Sequence, residues 1–95
     1  MREVYIFRQL ANLREFGDKD SQIHLVASGN YLHVGSVCRG HKYTSTIPYR
    51  PIVYYNLSCT LSDLSNELGC SFIKINLNHD SDGDWQYYED LTYKI

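Results

Sequence analysis

The spacing of apolar residues changes several times along the chain, and each change marks an element. Ile6, Phe7, Leu10 and Leu13 recur at the three-, four- and seven-residue intervals of one helical face. Val4-Tyr5-Ile6-Phe7 is β-like, but Gly17 directly after Phe16 supplies a helix stop, and the helical spacing predicts an N-terminal helix within residues 3–16. Polar residues 18–21 form a loop. Residues 22–27 and 31–38 are rich in Ile, Leu, Val and Tyr and read as two strands. Ser28-Gly29-Asn30 between them carries residues that tolerate positive φ, the chemistry of a hairpin turn. Arg39-Gly40-His41-Lys42 turns the chain again, and 43–47 is a third extended segment.

Pro48 and Pro51 each remove a ladder donor and hold the preceding residue extended, which marks this region as an edge strand or an extended loop. Residues 52–57 read as a resumed strand, with Tyr54 and Tyr55 on opposite faces. Thr60-Leu61-Ser62-Asp63 resembles a capping box with Asp in the third position. Leu61, Leu64 and Leu68 follow as an apolar stripe, and Gly69 ends a short helix expected at 60–68. Residues 72–77 alternate Phe72, Lys74, Asn76 against Ile73, Ile75, Leu77, the period of a strand with one buried face. A last strand is expected over 85–95. The outline is one compact domain, 1–95, of α+β class, in the order α-β-β-β(β)-α-β-β, with a small, mainly antiparallel sheet of about 4–6 strands.

A hydrophobic fraction of 43% supports a single core rather than disorder. A chain of this size leaves little room for a deep catalytic cleft and its scaffold together, which favours a binding module over an enzyme. The three cysteines, Cys38, Cys59 and Cys70, are an odd count at wide spacing and make no disulfide framework, so a reduced, cytoplasmic or intracellular setting is expected. The first residues lack the apolar run of a signal peptide, and no apolar run approaches the length of a membrane span.

Net charge is −2, which by itself attracts neither nucleic acid nor an acidic membrane. Its distribution is more informative. Between positions 31 and 62 the only formal charges are Arg39, Lys42 and Arg50. From position 63 to the end stand seven acids and two lysines. The chain is basic in its middle and acidic at its end.

The acidic part peaks at residues 78–89, Asn-His-Asp-Ser-Asp-Gly-Asp-Trp-Gln-Tyr-Tyr-Glu. Asn78, Asp80, Asp82, Gly83, Asp84 and Glu89 fall at the spacing of alternating oxygen donors about a glycine turn. The stretch resembles an EF-hand loop, and that resemblance implies calcium on Asn78, Asp80, Asp82, Asp84 and Glu89. Asn at the first position and the strand-like alternation before it depart from that pattern. Strand 72–77 followed by Asp80, Asp82, Asp84, Glu89 and Asp90 also resembles the acidic motif of ubiquitin-like interaction domains. That resemblance implies a β-grasp-like arrangement and a basic protein partner. The plainest reading is a solvated hairpin turn in which Asp and Gly make the bend.

Interleaved charge and aromatic rings at Arg39, His41, Lys42, Tyr43, Tyr49 and Arg50 make a second candidate, a surface for single-stranded nucleic acid. Cys38 and His41, with His33 nearby, have metal-ligand spacing but need further ligands from elsewhere. The reading favoured on sequence is a non-enzymatic protein-binding domain, an inhibitor or immunity-type protein without a cofactor. Its partner-facing residues are Asp80, Asp82, Asp84, Trp85, Tyr87, Tyr88, Glu89 and Asp90. Self-association through basic-middle and acidic-end contacts is the further expectation.

Overall fold

The computed structural model describes residues 2–77, with side chains from residue 6 to residue 76. The order is α1 (Arg2–Phe16), β1 (Gln22–Ser28), β2 (Tyr31–Cys38), β3 (His41–Pro48), α2 (Pro51–Leu68) and β4 (Ser71–Leu77). The α+β class and the N-terminal helix are as the hydrophobic pattern predicts. The strand expected over 85–95 lies outside the described residues.

The four strands form one sheet in the order β3-β2-β1-β4. β1 pairs antiparallel with β2, and β2 with β3, through two-residue turns. In the first turn Gly29 has φ 57; in the second both Arg39 (φ 52) and Gly40 (φ 80) are left-handed, the requirement of a type I′ hairpin. β4 instead pairs parallel with β1, because its connection passes through α2. The sheet is therefore mixed, two antiparallel pairs and one parallel. A β-grasp-like arrangement is compatible with the β1–β2 hairpin followed by α2 and β4, and the comparison goes no further.

One expectation is overturned. Residues 52–57 are not a strand, and the second helix starts at Pro51 rather than at 60. Arg50 is extended (φ −139, ψ 131), as a residue before proline must be, and Pro51 takes the first helical turn, where its missing N–H costs nothing. The β propensity of Ile52, Val53, Tyr54 and Tyr55 loses to packing. Val53, Leu57, Leu61, Leu64 and Leu68 make one continuous stripe against the sheet. Thr60 is consequently mid-helix and caps nothing. Gly69 closes the helix at φ 70, and its N–H donates to the Ser65 carbonyl at 2.8 Å.

Both helices lie on the same face of the sheet. Ile6, Leu10 and Leu13 of α1 and Leu57, Leu61 and Leu64 of α2 join Ile23, Leu25, Leu32, Val34 and Ile47 in one core. By the pairing register these strand residues share a single side. Within that core sits a polar knot. Gln9 Nε2 donates to Ser36 Oγ (3.0 Å) and to the Val34 carbonyl (3.2 Å), and Ser45 Oγ donates to Gln9 Oε1 (2.6 Å). All three side chains are buried, so the knot fixes the register of α1 over β2 and β3.

Candidate functional site

The antiparallel and parallel pairings give the sheet two distinct ends. At one end lie the Gly29-Asn30 turn, Pro48, the start of α2 and Leu77, which pairs with Ser28. At the other end lie Gln22, the Arg39-Gly40 turn, Ser71 and the close of α1. The acidic stretch leaves the sheet from the first of these ends, directly after Leu77. Its candidate residues, Asn78, Asp80, Asp82, Asp84, Trp85, Tyr87, Tyr88, Glu89 and Asp90, lie outside the described residues. What precedes them is described: β4 runs as a strand to Leu77, so no helix enters the loop as it would in an EF-hand.

The start of α2, at the same end of the sheet, carries positive charge. Arg50 stands at the N-terminus of α2, which has no side-chain cap and no acidic residue in its first turn, so the positive end of its dipole is unopposed by a local carboxylate. Tyr49, whose N–H donates to the Asn30 carbonyl at 2.7 Å, lies against Tyr54 with ring centroids 5.8 Å apart. Lys74 Nζ stands 5.1 Å from the Tyr54 ring centroid, a cation–π contact linking α2 and β4.

The basic and tyrosine residues expected to form a nucleic-acid surface are not brought together. Arg39, His41 and Lys42 belong to one end of the sheet, Tyr49 and Arg50 to the other, with the length of β3 between them. They also divide between faces. His41 and Tyr43 have the side of the sheet that carries the helices, and Lys42 has the opposite side. Tyr43 is half-buried, with its hydroxyl 3.5 Å from Asn12 Nδ2, and Arg39 lies over the Phe16 ring at 5.7 Å. Tyr54 and Tyr55 are neighbours on a helix, the first half-buried and the second exposed, rather than the two faces of a strand.

The Cys38, His41 and His33 set is likewise divided. Cys38 and His41 are opposite one another across the hairpin, but His33 points to the other face of β2. Among the described residues no three His, Cys, Asp or Glu side chains gather closely enough to hold a metal ion. Burial pushes the Cys70 thiol above its ordinary value, away from the nucleophilic thiolate. Cys59 is exposed on α2, in an open cleft of about 730 Å³ between α2 and β4 with Tyr54, Phe72 and Lys74. A second cleft of about 390 Å³ lies between the helices over β3, lined by Ile6, Phe7, Leu10, Ile47, Val53 and Leu57. Phe7, which lines this second cleft, Ile52, and Tyr55, which lines the first, are among the exposed apolar side chains, at 70%, 64% and 65%.

A feature that pattern reading did not single out is a pair of buried histidines on the face away from the helices. His24 and His33 lie diagonally across β1 and β2, where His24 pairs with Gly35 and His33 with Val26. His33 Nδ1 is 3.1 Å from Thr46 Oγ1, whereas His24 Nδ1 is buried without a hydrogen-bond partner among the described residues. Burial lowers His33 from its ordinary 6.5 to about 4 and lowers His24 as well.

Comparison of the chain with protein-family models, with curated proteins and with solved structures finds no match. The class rests on geometry: a small α+β domain with two helices on one face of a four-stranded mixed sheet. No described helix is long and apolar enough to cross a membrane.

Proposed function

We propose that this chain is a protein-binding domain, without catalysis of its own, that offers the carboxylates of its last eighteen residues to a basic surface on a partner protein. The observation that carries the reading is where the charge changes sign. Residues 1–77 hold eight Lys and Arg against six Asp and Glu, a net of +2. Residues 78–95 hold one lysine against five acids, a net of −4. The charge of the chain therefore changes sign after Leu77.

Asp80, Asp82, Asp84, Glu89 and Asp90 supply acceptors for charge-assisted hydrogen bonds from arginine or lysine, with Trp85, Tyr87 and Tyr88 as large, stiff contact surfaces beside them. Carboxylates at this density stand in for the phosphates of a nucleic acid. The reading is thus an inhibitor or immunity-type role against a protein whose own site is basic. Charge of this kind speeds encounter more than it deepens affinity, and it weakens with salt.

The test begins with capture of partners from the native host by the immobilised chain, followed by titration of the purified partner. Replacing Asp80, Asp82 and Asp84 together by lysine should slow association by at least about tenfold at low salt, with a smaller effect at high salt. Unchanged association kinetics in that variant would refute the proposal. Size-exclusion at low and high salt separates it from self-association, in which the acidic segment meets the basic residues of a second copy.

A further inference from the structure

The two helices leave a furrow between them on their face of the sheet, and this furrow is polarised. α1 and α2 run the same way. Both finish at the end of the sheet that carries Gln22 and Ser71, and a Cβ at Gly17 would stand 2.8 Å from Leu68 Cδ1. The cleft of about 390 Å³ lies in this furrow. Phe7, Leu10 and Arg14 line it from α1, and Val53, Leu57 and Thr60 from α2, each set at the three- and four-residue spacing of one helical stripe. Parallel helices put Phe7 and Val53 at one end of the cleft and Arg14 and Thr60 at the other. Ile47, next to Pro48 at the close of β3, belongs to the apolar end. Phe7 is 70% exposed there, whereas Leu10 and Leu57 are buried in the floor. Arg14 carries the one formal charge among the described lining residues, and no described carboxylate pairs with it.

We propose that this furrow binds a small anionic amphiphile, a carboxylate on an unbranched apolar tail. The tail lies along Leu10 and Leu57 toward Phe7 and Val53, and the carboxylate meets the Arg14 guanidinium with the Thr60 hydroxyl beside it. Two observations select this occupant. The first is charge complementarity: an apolar trough with a single cation at one end accepts one anionic group and a tail, the pattern of a small-ligand site. The cleft between α2 and β4 lacks that polarity, because Lys74 and Asp63 both line it. The second is length. Seven positions separate Phe7 from Arg14 and Val53 from Thr60, a rise of about 10.5 Å, close to an extended chain of about eight carbons. The site is separate from the carboxylates offered to a partner protein, and either reading stands without the other.

Titration of the full, isotope-labelled chain with octanoate, 1-octanol and octylammonium near neutral pH, followed by amide NMR shifts, tests the site. Octanoate should saturate in the millimolar range or below, as befits so small a ligand, with the largest shifts at Phe7, Leu10, Val53 and Thr60. It should bind at least about fivefold more tightly than 1-octanol, and hexanoate at least about threefold more weakly than octanoate. Arg14 is exposed, so its replacement leaves the core intact. Arg14→Gln should abolish the preference for octanoate over 1-octanol, and Arg14→Glu should turn it toward octylammonium. Phe7→Ala, also at an exposed position, should weaken all three ligands. Equal binding of octanoate and 1-octanol to the unaltered chain overturns the inference, as does a preference that survives Arg14→Glu. Absence of saturation, or shifts centred on Tyr54 and Phe72 in the other cleft, overturns it too. Shifts at Phe7 and Val53 that follow protein concentration without ligand assign the furrow to a second copy and overturn it equally.

Discussion

Acidification offers the sharpest test of the buried histidine face. His33 titrates near 6.5 when unfolded and near 4 when folded, because burial disfavours its charged form. The unfolded chain therefore binds the proton first. Stability is full above about pH 6.5, falls as pH drops through the window between the two values, and levels off below about 4. Lys42 has the parity of this face, and its cationic group disfavours a second positive charge on His33. Linkage over a shift of this size puts the loss from His33 alone at about 2 kcal/mol by about pH 5, approaching about 3 kcal/mol at lower pH. His24 moves in the same direction and adds to the loss. Urea unfolding between about pH 7.5 and 5, followed by circular dichroism, measures this above the range in which most carboxylates titrate. His33→Gln keeps a polar group near Thr46 and removes the titration, so its curve should be flatter by about the His33 share. A flat profile in the unaltered chain, or an unchanged slope in His33→Gln, would refute the reasoning.

Three further outcomes follow from packing. Gly17→Ala places a methyl group against the Leu13 carbonyl and 2.8 Å from Leu68 Cδ1, where the ends of the two helices meet; thermal melting should show a loss of about 1–3 kcal/mol. Gln9→Ala strands Ser36 Oγ and Ser45 Oγ in the core and should cost about 1–3 kcal/mol by urea titration. The triple change Gln9→Leu, Ser36→Ala and Ser45→Ala should recover most of that, because no buried polar atom is then left alone. Leu61→Ala, at a fully buried position on α2, should lose about 2–5 kcal/mol; a loss below 1 would mean the helix does not seat as described, read against the range for such cavities.

The hairpins and α1 were legible because their signals are local: a two- or seven-residue period bounded by Gly17, Gly29 and Gly40. α2 was legible only from Leu61 onward. Upstream of it the β-branched and aromatic run Ile52 to Tyr55 masks a helical stripe, and Pro51 reads equally as an extended residue and as a first helical turn. The parallel placement of β4 has no local signature, since it follows from a crossover that only the tertiary structure reveals. Among candidate sites, the basic and tyrosine stretch was read as contiguous because its residues are close in sequence; β3 sends them to opposite ends. His24 and His33 read as ordinary strand residues rather than a catalytic pair, and nothing in that pattern foretells that both faces of β1 are buried.

The pairing of β4 with β1 also fixes the order in which the molecule becomes safe during synthesis. Gln22 meets Ser71 and Ser28 meets Leu77, a separation of 49 positions. By the time the two hairpins have left the ribosome, β1 is complete and one of its edges is still bare. That strand, His24-Leu25-Val26-Ala27 at its centre, is uncharged and offers its backbone to any neighbouring chain. Protection arrives only with the distal half of the polypeptide. A nascent chain stalled before residue 71, or a fragment ending there, should accordingly aggregate through β1.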